Sequence, residues 1–417
     1  MTNHCKKITL ITYTPFWLES NGCQQRIIGL LELLRQAGFR LDLIFVEEQQ
    51  LLTDADRRTI QQQNRFDQVY KVRLSAHPWL TRQYFLIKHW LKQMLPRRVV
   101  ALLEARKLIG TAGISDNAIS PVGHFERMIN GYVRMRVQRF LKKSNPDATI
   151  VVYLDLGYVL DGLALNCLKV VDTQDALHLQ DQSLSSSELE KSYGVTQEEE
   201  RLALERFDVI IAIQDQETAL FQKLCPDKKV ITLLPWMPVK AVPVKSDSEN
   251  NLLFLGFSNK PNLHGIKRFL LEVWPLILHS RPNAKLLIGG RISGEIDATQ
   301  YENVECLGFF QDLDEFYSLG EITVNPVVAG SGLKIKTLEA LSRGRICIAA
   351  SHSAAGLAAF IGHGLDIADT NEEYVALITK YMTDRNLRKV KMAEALNIAR
   401  QTVSAENCIR PLLDELK

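Results

Sequence analysis

Residues 321–357, EITVNPVVAGSGLKIKTLEALSRGRICIAASHSAAGL, constrain the fold more than any other stretch. Ile322 to Asn325 read as a short buried strand, and Ile346 to Ala350 as a second. Between them lie a loop, Pro326 to Gly332, and a helix, Leu333 to Arg343, closed by Gly344. A strand–loop–helix–strand unit of this kind belongs to an α/β fold with a right-handed crossover. The Gly330-Ser331-Gly332 loop permits positive φ and a close approach of backbone to a ligand. The helix start that follows presents free N–H groups, a ready anion site. Lys334 and Lys336 stand in its first turn, where the helix dipole disfavours cations and no acidic residue offsets them. Two readings follow. In one the lysines reach solvent and Lys336 pairs with Glu339 at i,i+3, worth about 0.3 kcal/mol. In the other the loop and lysines hold a phosphate and Glu339 accepts sugar hydroxyls; a broken local rule at such a place favours this second reading.

The chain has 417 residues and a net charge of +2, enough length for two domains and no global nucleic-acid signature. Its seven cysteines are scattered, with no C-x-x-C pair, which fits reduced thiols in a cytoplasmic protein without a disulfide framework. No H-E-x-x-H motif or dense Asp/His grouping marks a metal site, so neither metal nor cofactor is expected. The apolar start, ITLITYTPFWL, is interrupted by Thr, Tyr and Pro and reads as a first strand rather than a signal peptide. Residues 346–365 lack charge but hold His352, His363 and several Ser and Gly, so strand plus loop fits better than a membrane span.

Along the chain, residues 7–14 read as a strand, 25–36 as a helix stopped at Gly38, and 39–46 as a strand, without a G-x-G-x-x-G motif. Residues 68–103 contain no Asp or Glu, and basic residues alternate with Trp79, Tyr84, Phe85 and Trp90. Such a segment suits an anionic membrane surface, or else a solvated helix face over an ordinary core. A helix is expected over 125–143 and strands over 148–154, 170–175 and 206–214, with a helix over 215–224. The strand ending in Thr173, Gln174 and Asp175 places polar groups where open α/β sheets bind ligands. Pro235, Pro238 and Pro243 followed by SDSENN read as an interdomain linker. The same module then restarts: strand 251–257, the loop SNKPNLHG, helix 266–279, strand 284–290, strand 303–308 and helix 312–319. Residues 372–399 are expected to form one helix and 404–416 a last one.

The segment GSGLKIKTLEALSRGRICIAASHSAAGL resembles the donor-site segment of glycosyltransferase family 4, the retaining GT-B enzymes that use sugar nucleotides. LFLGFSNKPNLHGIKRFLLEVWPLILHSRPNAKLLIGG and DVIIAIQDQETALF are similar to further parts of that family. The resemblance implies an α/β GT-B fold of two Rossmann-like domains facing a cleft: residues 1–240 for the acceptor, 241–400 for the donor, and a crossing-back helix over 401–417. It implies that Glu339 binds the ribose and that Ser331 stands where many members carry a second Glu. Donor contacts are implied for Gly256, Asn259, Lys260, Asn262, Gly289, the loop Leu307-Gly308-Phe309, and Gly330 through Lys334 with Leu333, joined by Lys336. Phe257 stands where many members have a basic residue, with Lys260 as a substitute. On the acceptor side the resemblance implies Asn21, Gly22, Gln174 and His178, the usual Thr-His-Asp being Thr173-Gln174-Asp175 here. Lys336, Glu339 and Asp175 are the catalytic candidates. The expected donor is a nucleotide sugar and the acceptor a glycan, lipid or protein, in the cytoplasm or on the inner face of a membrane. The alternatives are a nucleotide-sugar epimerase, a phosphorylase, or a non-catalytic GT-B-like binding subunit.

Overall fold

The computed structural model describes residues 6–18, 22–47, 52–62, 65–73, 124–186, 195–246, 248–330 and 332–416. Asn21, Ser331 and residues 74–103 of the basic, aromatic stretch lie outside them.

Apolar runs in the first half form seven parallel strands: β1 (Lys7–Thr12), β2 (Arg40–Glu47), β3 (Gln68–Arg73), β4 (Ala148–Val152), β5 (Leu168–Asp172), β6 (Val209–Ala212) and β7 (Lys229–Thr232). Their order in the sheet is β3-β2-β1-β4-β5-β6-β7. The second half repeats the plan with β8 (Asn251–Leu255), β9 (Lys285–Gly289), β10 (Val304–Gly308), β11 (Ile322–Asn325), β12 (Ile346–Ala349) and β13 (Leu365–Ile367), ordered β10-β9-β8-β11-β12-β13. Every pairing in both sheets is parallel. Central strands are buried on both faces, as helix-covered parallel sheets require. This is the two-domain Rossmann-like plan of a GT-B fold. In each sheet the chain first grows one way and then crosses back, leaving a switch point between β1 and β4 and another between β8 and β11.

Several elements differ from the sequence expectation. The helix expected at 266 begins at Lys260, because Asn259 Oδ1 accepts from the Asn262 N–H at 2.9 Å and Pro261 suits the first turn. It widens into a π turn at Phe269–Val273 and continues as Trp274–Ser280. The single helix expected over 372–399 is two, Asn371–Thr383 and Arg385–Thr402. Asp384 closes the first through its N–H to the Lys380 carbonyl and caps the second by accepting from Leu387 N–H at 2.9 Å. The strand expected to run to Asp175 stops at Asp172, where Gln174 takes φ +64°. β3, β7 and β13 were not expected, the first because residues 68–73 read as part of the basic, aromatic segment.

A buried ion pair fixes the first domain. Arg26, on the helix Gly22–Gln36, meets Asp172 at the end of β5 at 2.9 Å and donates to the Leu233 carbonyl at 2.6 Å. The helix Ala405–Glu415 packs on Gly22–Gln36 and β7, burying Cys408, Ile409 and Leu412 in a core shared with Ile27, Leu31, Leu338 and Leu341. No helix among the described residues is long and apolar enough to cross a membrane.

Candidate active site

A cavity of about 940 Å³ lies where the two switch points face each other. One wall begins at the ends of β8, β9 and β10. The Gly256 N–H donates to the Gly289 carbonyl at 3.0 Å, the Gly290 N–H to the Gly308 carbonyl at 2.7 Å, and the Ile292 N–H back to Gly256 at 3.2 Å. Gly290 has φ +90°, and a β-carbon there would stand 2.3 Å from the Gly256 carbonyl oxygen. Only glycine lets these strand ends lie so close, giving a backbone floor open to a ligand.

The second part of this wall is the helix Ile335–Ser342, with Lys334 at its N-cap and Lys336 in its first turn. Lys336 Nζ donates to Asn262 Oδ1 at 2.6 Å and lies 4.8 Å from the centroid of the Phe254 ring. Asn262 is itself held by Nδ2 donating to the Phe257 carbonyl at 2.9 Å. Burial, helped by the neighbouring Lys334 charge, brings the Lys336 ammonium down to about 7. Burial also lowers Lys334, against the opposing pull of Asp175 and Glu217. Glu339, one turn further, pairs with Arg343 at 3.5 Å rather than with Lys336, and Tyr317 OH lies 3.5 Å from its other oxygen. Burial raises the Glu339 carboxyl, and Arg343 works against that shift.

The opposite wall comes from the first domain. Gly22 closes on the lysine helix, since a β-carbon there would stand 2.9 Å from Ile335 Cδ1. Asp175 reaches across to the glycine loop: a β-carbon at residue 332 would lie 2.2 Å from Asp175 Oδ1, and Gly332 has φ +67°. The Gly330 N–H donates to Ser183 Oγ at 3.1 Å, a hydrogen bond across the cleft. Tyr153 and Gln174, at the ends of adjacent strands β4 and β5, both hold positive φ, +73° and +64°. Apart from them only two asparagines do so among described non-glycine residues, and backbone strain of this kind gathers at functional sites. Gln174 Nε2 donates to Asp172 Oδ2 at 2.8 Å, so its amide is anchored by the ion pair beneath. Behind Asp175 sits Glu217, 2 % exposed, with Oε2 unpartnered among the described residues. Burial, and then Asp175, push its carboxyl up to about 8.

Of the residues expected from the sequence, Gly22, Gln174, Asp175, Gly256, Asn259, Asn262, Phe309, Gly330, Leu333, Lys334, Lys336 and Glu339 line the cavity. Lys260 is exposed at the start of its helix and does not line it. Gly289 serves packing, for a β-carbon there would stand 2.5 Å from the Phe316 ring. Gly308 contributes its carbonyl to the backbone row beneath and Gly332 its contact with Asp175, whereas Leu307 packs on the apolar cluster of Leu253 and Phe316 and does not line the cavity. His178 is not at the cavity. It is 4 % exposed, its ring pairs with Glu200, and Glu200 also accepts from the backbone N–H groups of Leu177 and His178 at 2.9 and 3.1 Å. The expectation for Asn21 and Ser331 falls outside the described residues. The sequence reading missed Gly290, Arg291, Tyr153, Trp17 and Cys23, all cavity-lining. The Gly-Gly-Arg that ends the strand 285–289 was the available signal for the first two. Among the described residues no group of three His, Cys, Asp or Glu side chains is placed to hold a metal ion.

Residues 249–384 match the family described as glycosyl transferases group 1, about the span that carries β8 to the helix Asn371–Thr383. A Klebsiella pneumoniae protein, "Uncharacterized 44.6 kDa protein in cps region", is 28 % identical over 165 residues, 35 % of this chain. The chain spans only 42 % of that relative's length. Among solved structures, a single-site mutant of S. aureus TarM, in complex with fondaparinux, α-GlcNAc-glycerol and UDP, superposes with a TM-score of 0.68 at 11 % identity, covering 99 % of this chain and 100 % of that one. The sucrose-phosphate synthase of Thermosynechococcus elongatus gives 0.65 at 14 % identity over 98 % of each chain. Anabaena HepE in complex with UDP and glucose gives 0.59 at 14 % identity over 99 % of each. Together the matches show a GT-B fold along the whole chain, with the glycosyl transferases group 1 match confined to residues 249–384 of its second domain.

Proposed function

We propose that the chain is a retaining glycosyltransferase that moves a sugar from a nucleoside diphosphate sugar to a glycan, lipid-linked or other cell-envelope acceptor. The observation that carries this reading is the pair Lys334 and Lys336 at the start of the helix Ile335–Ser342, facing Asp175 across the cavity. The second domain takes the nucleotide. Its diphosphate lies against the glycine loop and lysines, and Glu339 accepts from the ribose hydroxyls. The solved structures that superpose on the chain include complexes with UDP, which agrees with a donor of this class. The first domain presents the acceptor past Gln174 and Asp175. Leaving-group charge is met by fixed cations and helix N–H groups rather than by solvent. With Glu339 assigned to the ribose and Ser331 at the position of the family's other Glu, no side chain is assigned as a covalent nucleophile. The acceptor therefore attacks from the face the diphosphate leaves, and the departing phosphate takes its proton.

Proton nuclear magnetic resonance of the product formed from an α-linked UDP-sugar tests the reaction. An α-linked product is expected, formed equally in the presence of chelator. A β-linked product, or activity lost in chelator and restored by a divalent ion, removes the mechanism. Nucleotide-sugar turnover without any acceptor would instead favour an epimerase.

The acid-free stretch 68–103 is proposed to bring the acceptor side to an anionic membrane. Flotation with anionic liposomes should recover the protein, and less of it at high salt. Recovery unchanged when Arg82, Lys88, Lys92, Arg97 and Arg98 become Gln would sink this part of the proposal.

A further inference from the structure

We infer that Arg291 is a third cation of the donor subsite, its guanidinium laid on the Phe257 ring to take a phosphate oxygen of the nucleoside diphosphate. The inference rests on the donor-site reading above. Among the described residues, three cationic side chains line the cavity: Lys334, Lys336 and Arg291. The two lysines do not meet the charge of a diphosphate alone. Burial pulls both toward the neutral amine, and Lys336 is already bonded to Asn262. A nucleoside diphosphate brings more negative charge than such a pair neutralises, because its terminal phosphate is largely in its second ionisation by neutral pH.

Arg291 supplies what they lack. A guanidinium stays charged throughout the working pH range and offers a planar fork matched to phosphate oxygens. Its backbone position is set by Gly290, whose φ of +90° turns the chain out of β9 onto the backbone floor. Its guanidinium carbon lies 5.8 Å from the centroid of the Phe257 ring. A fork stacked on an aromatic face is partly ordered before ligand arrives, so binding costs it less entropy.

The more buried arginines are committed elsewhere. Arg26 holds Asp172, Arg343 holds Asp314 and Glu339, and Arg388 holds Glu321. Arg291 has no carboxylate partner among the described residues. Glu295, the nearest acid on its own turn, accepts instead from Ser258 Oγ at 2.8 Å. An exposed arginine that lines the cavity, lies over an aromatic ring and has no carboxylate partner among the described residues is arranged for an anion. Phe257 then serves as the platform for the cation rather than as a ligand itself.

The test is calorimetric titration of the intact chain with UDP, ADP, GDP and CDP. The tightest of these is then compared with its own nucleoside, for wild type, Arg291→Ala and Arg291→Lys. Arg291→Ala is expected to weaken the diphosphate about tenfold to a hundredfold and the nucleoside less than about twofold. Arg291→Lys, which keeps charge but loses the fork and the stack, should fall between. The salt dependence of diphosphate binding should flatten in Arg291→Ala. Unchanged diphosphate affinity in that variant overturns the inference and leaves the donor-site reading standing. An equal loss for nucleoside and diphosphate also overturns it, since Arg291 would then touch base or ribose. Failure of wild type to bind any of the four overturns the donor-site reading and this inference together. Arg291 is exposed, so ligand-free melting of the variants is expected to match wild type and to exclude misfolding.

Discussion

At the scale of single residues, the site is built from charges held out of balance. Glu217 shows it most clearly, buried behind Asp175 with its carboxyl raised to about 8. The folded chain then holds a proton that the unfolded chain has already released. This contribution to stability is fully present below the ordinary carboxyl range and is lost as pH rises through about 8. Urea unfolding at pH 5 to 8 should therefore show Glu217→Gln gaining on wild type with each step, by at most about 1.4 kcal/mol per pH unit. A difference that stays constant over that range means the carboxylate is already ionised in the fold. The charged groups around Glu217 are Asp175, Arg26 and, across the cleft, Lys334. Neither Glu217 nor the strained backbone of Tyr153 and Gln174 was legible in the sequence. Burial and φ both depend on strands distant in the chain meeting at a switch point.

At the scale of elements, the helix Ile335–Ser342 was the most legible part, because its evidence is local. Glycines before it, lysines at its start and Gly344 behind it all act within one turn, and Gly344 has the expected positive φ of +70°. The partner of Glu339 was not legible in the same way. Both i,i+3 and i,i+4 choices were present, and the helix turns Lys336 toward Asn262, leaving Glu339 to Arg343. Cap chemistry at Asn259 and Asp384 was readable but outweighed by apolar periodicity, so one helix was expected to start late and another to run unbroken. The lysine helix also yields a prediction. With burial holding the Lys336 ammonium at about 7, a bound diphosphate stabilises its charged form. UDP binding at pH 8 should take up a proton, seen as a binding enthalpy that varies with the ionisation enthalpy of the buffer. Lys336→Met should abolish that variation; its persistence would place the proton elsewhere.

At the scale of the whole molecule, the two sheets were legible from the repeated module, whereas their mutual arrangement depends on long-range packing. The helix Ala405–Glu415 lies on the first domain, with Leu412 fully buried in the shared core. Leu412→Ala should cost about 2–5 kcal/mol of stability. Because this helix is shared, denaturant transitions followed in the two domains should both move; a shift confined to one would show that the core is not common. The linker has a further, mechanical consequence. Arg26 holds the Leu233 carbonyl, and Gly29 leaves room for the Trp236 carbonyl, where a β-carbon would stand 3.0 Å away. From Lys240 onward the strand is strapped to the second domain, Lys240 N–H donating to the Ser342 carbonyl at 3.0 Å and Val242 N–H to Arg343 at 3.3 Å. Residues 237–239 make the crossing between these straps, with Met237 and Val239 on the shared core and Pro238 stiffening their middle. The chain crosses back at Val403 and Ser404, between two helices docked on different domains. Two short pivots define an axle, so any parting of the cavity walls is a swing about that line, and its arc is widest at the rim farthest from it.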